Sequence, residues 1–154
     1  MLSFSCTSLI FAVVDDNLVN LKVLANQLRR VGCKSVDVRE DGQEALDYLS
    51  RSLFHRSAGK DHKPLSIILL DVEMPVLDGL SCVRRIRELE KEGELVGHVP
   101  VIAITANARP QQISEAIEAG MDEVAVRLIL VVPDIDSQLT VFTDEAVPHA
   151  RSLV

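Results

Sequence analysis

Two apolar rhythms alternate along this chain. Leu9 to Val14 is a short apolar run that predicts a first strand, and Asp15-Asp16-Asn17 stops it. Leu18, Leu21, Leu24, Ala25, Leu28 and Val31 then fall at three- and four-residue steps, one face of a helix, with Gly32 as its C-terminal stop. "KSVDVRE" alternates apolar and polar residues and predicts a half-exposed second strand. Ala45, Leu46, Leu49 and Leu53 mark a second helix that opens near Gly42. The polar, basic stretch "HRSAGKDHKP", residues 55–64, predicts a flexible loop holding His55 and His62. Ile67 to Leu70 is wholly apolar, as a strand buried on both faces would be. A third helix is expected from Leu80 to Glu92, with Val83, Ile86 and Leu89 inward and "RRIRELEKE" forming a solvated outer face. "VPVIAIT" predicts a fourth strand ending at Thr105. "PQQISEAIEAG" predicts a fourth helix with Pro110 in its first turn and Gly120 as its stop, and "EVAVRLILVV" a fifth strand.

Strands alternating with helices imply a parallel sheet covered on both faces, whose sites form beyond the carboxyl ends of the strands. Strand one ends in Asp15-Asp16, strand three in Asp71 and strand four in Thr105. A charge at the edge of an apolar core costs several kcal/mol unless it is paired. If strand one lies beside strand three, three carboxylates converge and repel each other unless a cation is present. Hard oxygen ligands in a small cluster suit Mg²⁺. An aspartate in such a pocket can act as a nucleophile and form an aspartyl phosphate, with Thr105 donating a hydrogen bond to a phosphoryl oxygen. Taken one at a time, these residues have plainer readings. Asp15-Asp16 suits a turn and a helix cap, Asp78-Gly79 a turn with glycine at positive φ, and Met74 packing.

Composition narrows the partners. The 154 residues are about one domain, with 47% hydrophobic, 25% charged and only 3% aromatic residues, so the core must be aliphatic. A net charge of −7, from 16 Lys+Arg against 23 Asp+Glu with no basic run, argues against binding nucleic acid or an anionic membrane. The apolar start lacks a basic n-region and is too short to span a bilayer, so neither a signal peptide nor membrane insertion is expected. Cys6, Cys33 and Cys82 have no metal or redox spacing and are expected as reduced thiols, which points to the cytoplasm or the nucleus. His55, His62, His98 and His149 show no ligand spacing and are expected on the surface.

"VVDDN", "LLDVEMPVLDG", "VIAITA" and "EAGMDE", in this order and at these spacings, resemble the receiver domain of two-component response regulators. "NLVNLKVLANQLRR" gives the likeness a leaning toward the receivers of fungal-type hybrid histidine kinases. The resemblance implies a flavodoxin-like, doubly wound five-stranded parallel sheet of order 2-1-3-4-5. It implies that Asp71 takes a phosphoryl group from a phosphohistidine on a partner, either a histidine phosphotransfer protein or a histidine kinase. It further implies that Asp16 binds Mg²⁺ directly, Asp15 assists through water, Glu73 supplies a backbone carbonyl, and Thr105 is the switch hydroxyl. Such a domain is a signalling module rather than a conventional enzyme. Its chemistry is limited to its own phosphorylation and slow dephosphorylation.

The likeness breaks after Glu123. Receivers place a Lys-Pro pair at the end of strand five with an aromatic three residues before the lysine. Here those positions hold Arg127, Leu128 and Val124. Arg127 keeps the charge in a longer, forked form. The segment from Pro133 onward shows no long amphipathic helix, so the fifth helix is expected to be absent or degenerate. The expected division is a receiver domain over residues 8–132 and a divergent tail over residues 133–154. Two other readings stay open: a switch-defective receiver-like fold kept only for protein interaction, and an aspartate-nucleophile phosphatase. The phosphatase reading is disfavoured because Glu73 stands where a second aspartate is needed. Sequence leaves the oligomeric state open.

Overall fold

The computed structural model describes residues 9–30, 32–106 and 109–126. Arg127, Leu128 and the whole of residues 133–154 lie outside the described residues, so the expectations placed on them, the degenerate fifth helix included, are not addressed by it. Within the described residues the chain runs β1 (Ile10–Val14), α1 (Leu18–Arg30), β2 (Ser35–Arg39), α2 (Gly42–Ser50), β3 (Ile67–Asp71), α3 (Gly79–Glu92), β4 (Val101–Thr105), α4 (Pro110–Ala119) and β5 (Glu123–Val126). All strand pairs are parallel and the order is β2-β1-β3-β4-β5, as expected. The chain leaves β2 at one edge, passes over β1 through α2, and re-enters at β3. The switch point therefore falls between β1 and β3.

Side chains alternate across the sheet, and each parity meets its own helices. Ala12, Val14, Ile68, Leu70, Val101 and Ala103 pack with Leu49 of α2, Val83 and Ile86 of α3, and Ala116 of α4. Phe11, Val13, Ile67, Leu69, Ile102 and Ile104 pack on the opposite face with Leu21 and Leu28 of α1. With both faces covered, β1, β3 and β4 have no polar side to show, and this is why they read as unbroken apolar runs.

Several local expectations are corrected. The second helix stops at Ser50, and Leu53 is exposed. The buried hydroxyl of Ser52 donates to the Leu49 carbonyl at 2.8 Å and accepts from the Phe54 N–H at 3.2 Å, turning the chain out of the helix. The following loop is pinned rather than flexible. Leu53 N–H donates to the Lys63 carbonyl, Arg56 N–H to the Glu94 carbonyl and Val96 N–H to the Phe54 carbonyl, at 2.9, 2.8 and 2.7 Å. The outer face of α3 is not wholly solvated either. Arg87 reaches the carbonyls of Gly120 and Val99, each at 2.9 Å, and the carboxylate of Asp122 at 2.9 Å, tying α3 to the entry of β4 and the turn before β5. Cys82 is a free thiol as expected, and buried, whereas Cys33 is disulfide-bonded and not a reduced thiol. The three histidines described are all partly buried rather than fully on the surface: His98 pairs with Asp122 at 2.5 Å, and the rings of His55 and His62 stack 6.2 Å apart.

Candidate phosphoacceptor and metal site

The carboxyl ends of β1 and β3 are held by short, specific turns. Asp15 follows β1 and is buried; its N–H donates to the Arg39 carbonyl at 3.2 Å. Its Oδ1 accepts from the Asn17 N–H at 2.8 Å, and Asn17 Oδ1 accepts in turn from the N–H groups of Val19 and Asn20 at 2.9 and 3.3 Å. Asn17 is thus the cap of α1, satisfying donors the helix leaves open, and Asp15 braces the cap. The adjacent Asp16 stays exposed at the mouth of the switch point.

On the other side, Asp71 closes β3 opposite Ile104 of β4, which puts Thr105 one position further along the neighbouring strand. The loop after Asp71 folds tightly back. Gly79 N–H donates to the Val72 carbonyl at 2.9 Å, and a Cβ on Gly79 would stand 2.2 Å from the Asp71 carbonyl oxygen. Glycine is required there by this close approach and not, as expected, by a positive φ. Asp78 caps α3: its carboxylate accepts from the N–H of Ser81 at 2.8 Å and the hydroxyl of Ser81 at 2.9 Å. Those bonds, the backbone N–H first, hold its carboxyl below the usual carboxylate range.

These turns bring Asp15, Asp16 and Asp71 together, with one carboxylate oxygen of each lying within 4.8 Å of the others. At that spacing each pair of ionised carboxylates repels by about 3 kcal/mol at an effective dielectric of about 20. An all-oxygen, like-charged donor set of this kind fits a hard divalent cation. The side chain of Glu73 does not join the group. It lines an open cleft of ≈ 650 Å³ between the loop and α4, with Met74, Ser81, Arg84, Gln112 and Glu115. Val124, in the family's aromatic position, packs against the core on the α2–α4 side of the sheet.

The family model described as "Response regulator receiver domain" matches residues 11–127. The chain belongs to the receiver domain family. Among its relatives, Hybrid signal transduction histidine kinase I of Dictyostelium discoideum is 33% identical over 137 residues, which are 86% of this chain and 7% of that protein. The chain therefore spans a small part of the length of the hybrid kinase it matches. The receiver domain of the histidine kinase CKI1 from Arabidopsis thaliana, crystallised with Mg²⁺, superposes with a TM-score of 0.69 at 29% identity, covering 86% of this chain and 88% of that one. The receiver of Ssk1 in its co-crystal with the Saccharomyces cerevisiae histidine phosphotransfer protein Ypd1 shares the fold, with a TM-score of 0.72 at 19% identity over 95% of this chain and 92% of that one. This receiver is a signalling module of two-component phosphorelays and not a conventional enzyme. Among its described residues no helix is long and apolar enough to cross a membrane.

Proposed function

We propose that this receiver takes a phosphoryl group from a phosphohistidine of a partner protein onto Asp71. The observation that carries the reading is the meeting of Asp15, Asp16 and Asp71 within 4.8 Å at the switch point. A carboxylate oxygen of Asp71 attacks phosphorus in line, the O–P bond forms, and the P–N bond breaks. The bond's electron pair returns to the donor imidazole, whose other ring nitrogen carries a proton, so the ring leaves as neutral imidazole. Asp16, Asp71 and the backbone carbonyl of Glu73 would hold Mg²⁺, with Asp15 assisting through water, and the ion would neutralise charge as the phosphoryl group arrives. Thr105 donates its hydroxyl to a phosphoryl oxygen, and Arg127 pairs with another in place of the family lysine.

The partner is a histidine phosphotransfer protein or a histidine kinase. Leu18 and Val19, 55% and 68% exposed in the first turn of α1, give it an apolar rim directly after Asp16 on which to rest. The cytoplasm or the nucleus as its compartment follows from the family likeness alone, since the disulfide-bonded Cys33 withdraws the support of reduced thiols. A second reading, a switch-defective fold that only docks, is favoured by Val124, which offers Thr105 no aromatic ring to work against. In that case the folded protein gains no Asp71-dependent phosphoryl group; a receiver in which only the switch is disabled still loads, but hydrogen exchange in β4 and β5 does not respond.

The test is intact mass after incubation with Mg²⁺ and acetyl phosphate. The reading expects a gain of one phosphoryl group that is lost in Asp71→Asn and suppressed by chelation. A folded protein with no Asp71-dependent gain would refute it.

A further inference from the structure

Nothing in an aspartate itself fixes the plane of its carboxylate, because the terminal torsion is broad and roughly two-fold. At Asp15 that plane decides how the carboxylate meets Asp16 and Asp71, whose oxygens lie within 4.8 Å. Two donors from the start of α1 meet one oxygen of Asp15. The Asn17 N–H donates to Oδ1 at 2.8 Å, and the side-chain amide of Asn20 donates to the same Oδ1 at 3.5 Å. Asn17 Oδ1 accepts from the Asn20 N–H at 3.3 Å, which closes a circuit through Asp15, Asn17 and Asn20.

The two donors differ in what else explains them. Asn17 caps α1, and its contact with Asp15 comes with that turn. The amide of Asn20 has no such duty. The cap is complete without it, since Val19 and Asn20 give their backbone N–H groups to Asn17. Alanine is also the better helix former. The bond from the Asn20 amide to Asp15 is the longest of the set, at the limit for a hydrogen bond. So long a bond adds little to the stability of the fold. It still biases a two-fold torsion, because the orientations it chooses between are close in energy.

We infer that Asn20 is a positioning residue of the metal site: its amide holds the Asp15 carboxylate in the orientation that meets Asp16 and Asp71. Hydrogen-bond partners of this kind orient the groups around a metal, and losing one typically weakens metal binding by about 10–100-fold. Asn20 acts through Asp15 and not on the reacting atoms, so it sets how readily Mg²⁺ is held and not how fast Asp71 attacks once the ion is in place. The inference rests on the acceptor reading above and adds to it a residue that tunes metal affinity.

The test titrates MgCl₂ alone into the metal-free wild type, Asn20→Ala and Gln43→Ala by calorimetry. Each protein is also melted without metal, and its loading from acetyl phosphate is followed over a range of Mg²⁺ concentrations. Gln43→Ala is the control, since it removes an amide–carboxylate bond, Gln43 to Asp47 at 3.1 Å, from the exposed face of α2. Asn20→Ala should weaken Mg²⁺ binding about fivefold, below the usual range because the lost bond is long. Its metal-free melting temperature should stay within about 3 °C of the wild type. Its loading rate at saturating Mg²⁺ should stay within about twofold, while the Mg²⁺ concentration giving half that rate rises about fivefold. Gln43→Ala should bind Mg²⁺ as the wild type does. A change in Mg²⁺ affinity below about twofold in Asn20→Ala would overturn the inference. So would a larger fall in its metal-free melting temperature, a loss of rate that saturating Mg²⁺ does not restore, or an equal weakening in Gln43→Ala. No Mg²⁺ binding by the wild type would instead overturn the metal site itself, and is a separate result.

Discussion

Replacing Gly79 by alanine tests how the acceptor loop is built. The added Cβ would stand 2.2 Å from the Asp71 carbonyl oxygen, 2.9 Å from Val72 Cα and 3.0 Å from the Asp71 carbonyl carbon. All three neighbours are backbone, so no side chain can swing aside. Relief requires roughly 1 Å of backbone movement to reach ordinary contact distance. Overpacking of this kind costs about 1–3 kcal/mol, and parting Gly79 N–H from the Val72 carbonyl adds about 1 kcal/mol. The sum, about 2–4 kcal/mol, is a large share of a typical stability of about 5–15 kcal/mol. It corresponds to a fall in melting temperature of about 5–15 °C for a chain of this size. The strand end moves with the loop, and a misplacement of about 1 Å at a reacting group can lower a rate by about a hundredfold. Urea and thermal melts give the stability, and intact mass with acetyl phosphate gives the loading rate. Gly59→Ala is the control, since nothing lies within 4 Å of a Cβ there. A Gly79→Ala protein that melts and loads like the control would refute the reasoning.

Three further outcomes follow from single residues. Asp78→Ala removes the cap of α3 and should cost about 1 kcal/mol at neutral pH, read by urea melts. Because folding lowers the pKa of Asp78, its contribution is present above the ordinary carboxylate value of 3.8 and is lost as the pH falls through the lower folded value, so wild type and variant should converge in acid. Burial pushes the Cys82 thiol up to about 12, with Asp78 and Asp41 adding to the shift. Iodoacetamide at pH 8 should therefore leave it unlabelled in the native protein and label it in urea; rapid native labelling would contradict its burial. Arg87→Lys should lower stability by about 1–3 kcal/mol in urea melts, since one ammonium cannot hold the Gly120 and Val99 carbonyls and Asp122 together.

The sequence made legible what depends on short-range pattern. The apolar runs of β1, β3 and β4 are legible because both faces of those strands are covered, and the rhythm of α1 because a single face of it is buried. The meeting of Asp15, Asp16 and Asp71 could be anticipated because a parallel sheet gathers residues at its strand ends. What stayed hidden depends on partners far away in the chain. Arg87 reads as one charge in a solvated run until Val99, Gly120 and Asp122 fold around it. The stretch after α2 reads as a loose loop because its backbone partners are Glu94 and Val96. Gly79 reads as a turn glycine, whereas its need arises from the Asp71 carbonyl pressed against it. Nothing in a valine announces a positive φ, yet Val76 holds one of 68°.

The most direct measurement locates the phosphoryl group itself. The protein is loaded with Mg²⁺ and acetyl phosphate and reduced with borohydride, which converts an aspartyl phosphate to homoserine, and the peptides are then read by tandem mass spectrometry. Homoserine at position 71, absent when Asp16→Asn and Asp15→Asn are combined, is the expected result. Homoserine at another aspartate, or at position 71 regardless of those two substitutions, would contradict a shared acceptor and metal site.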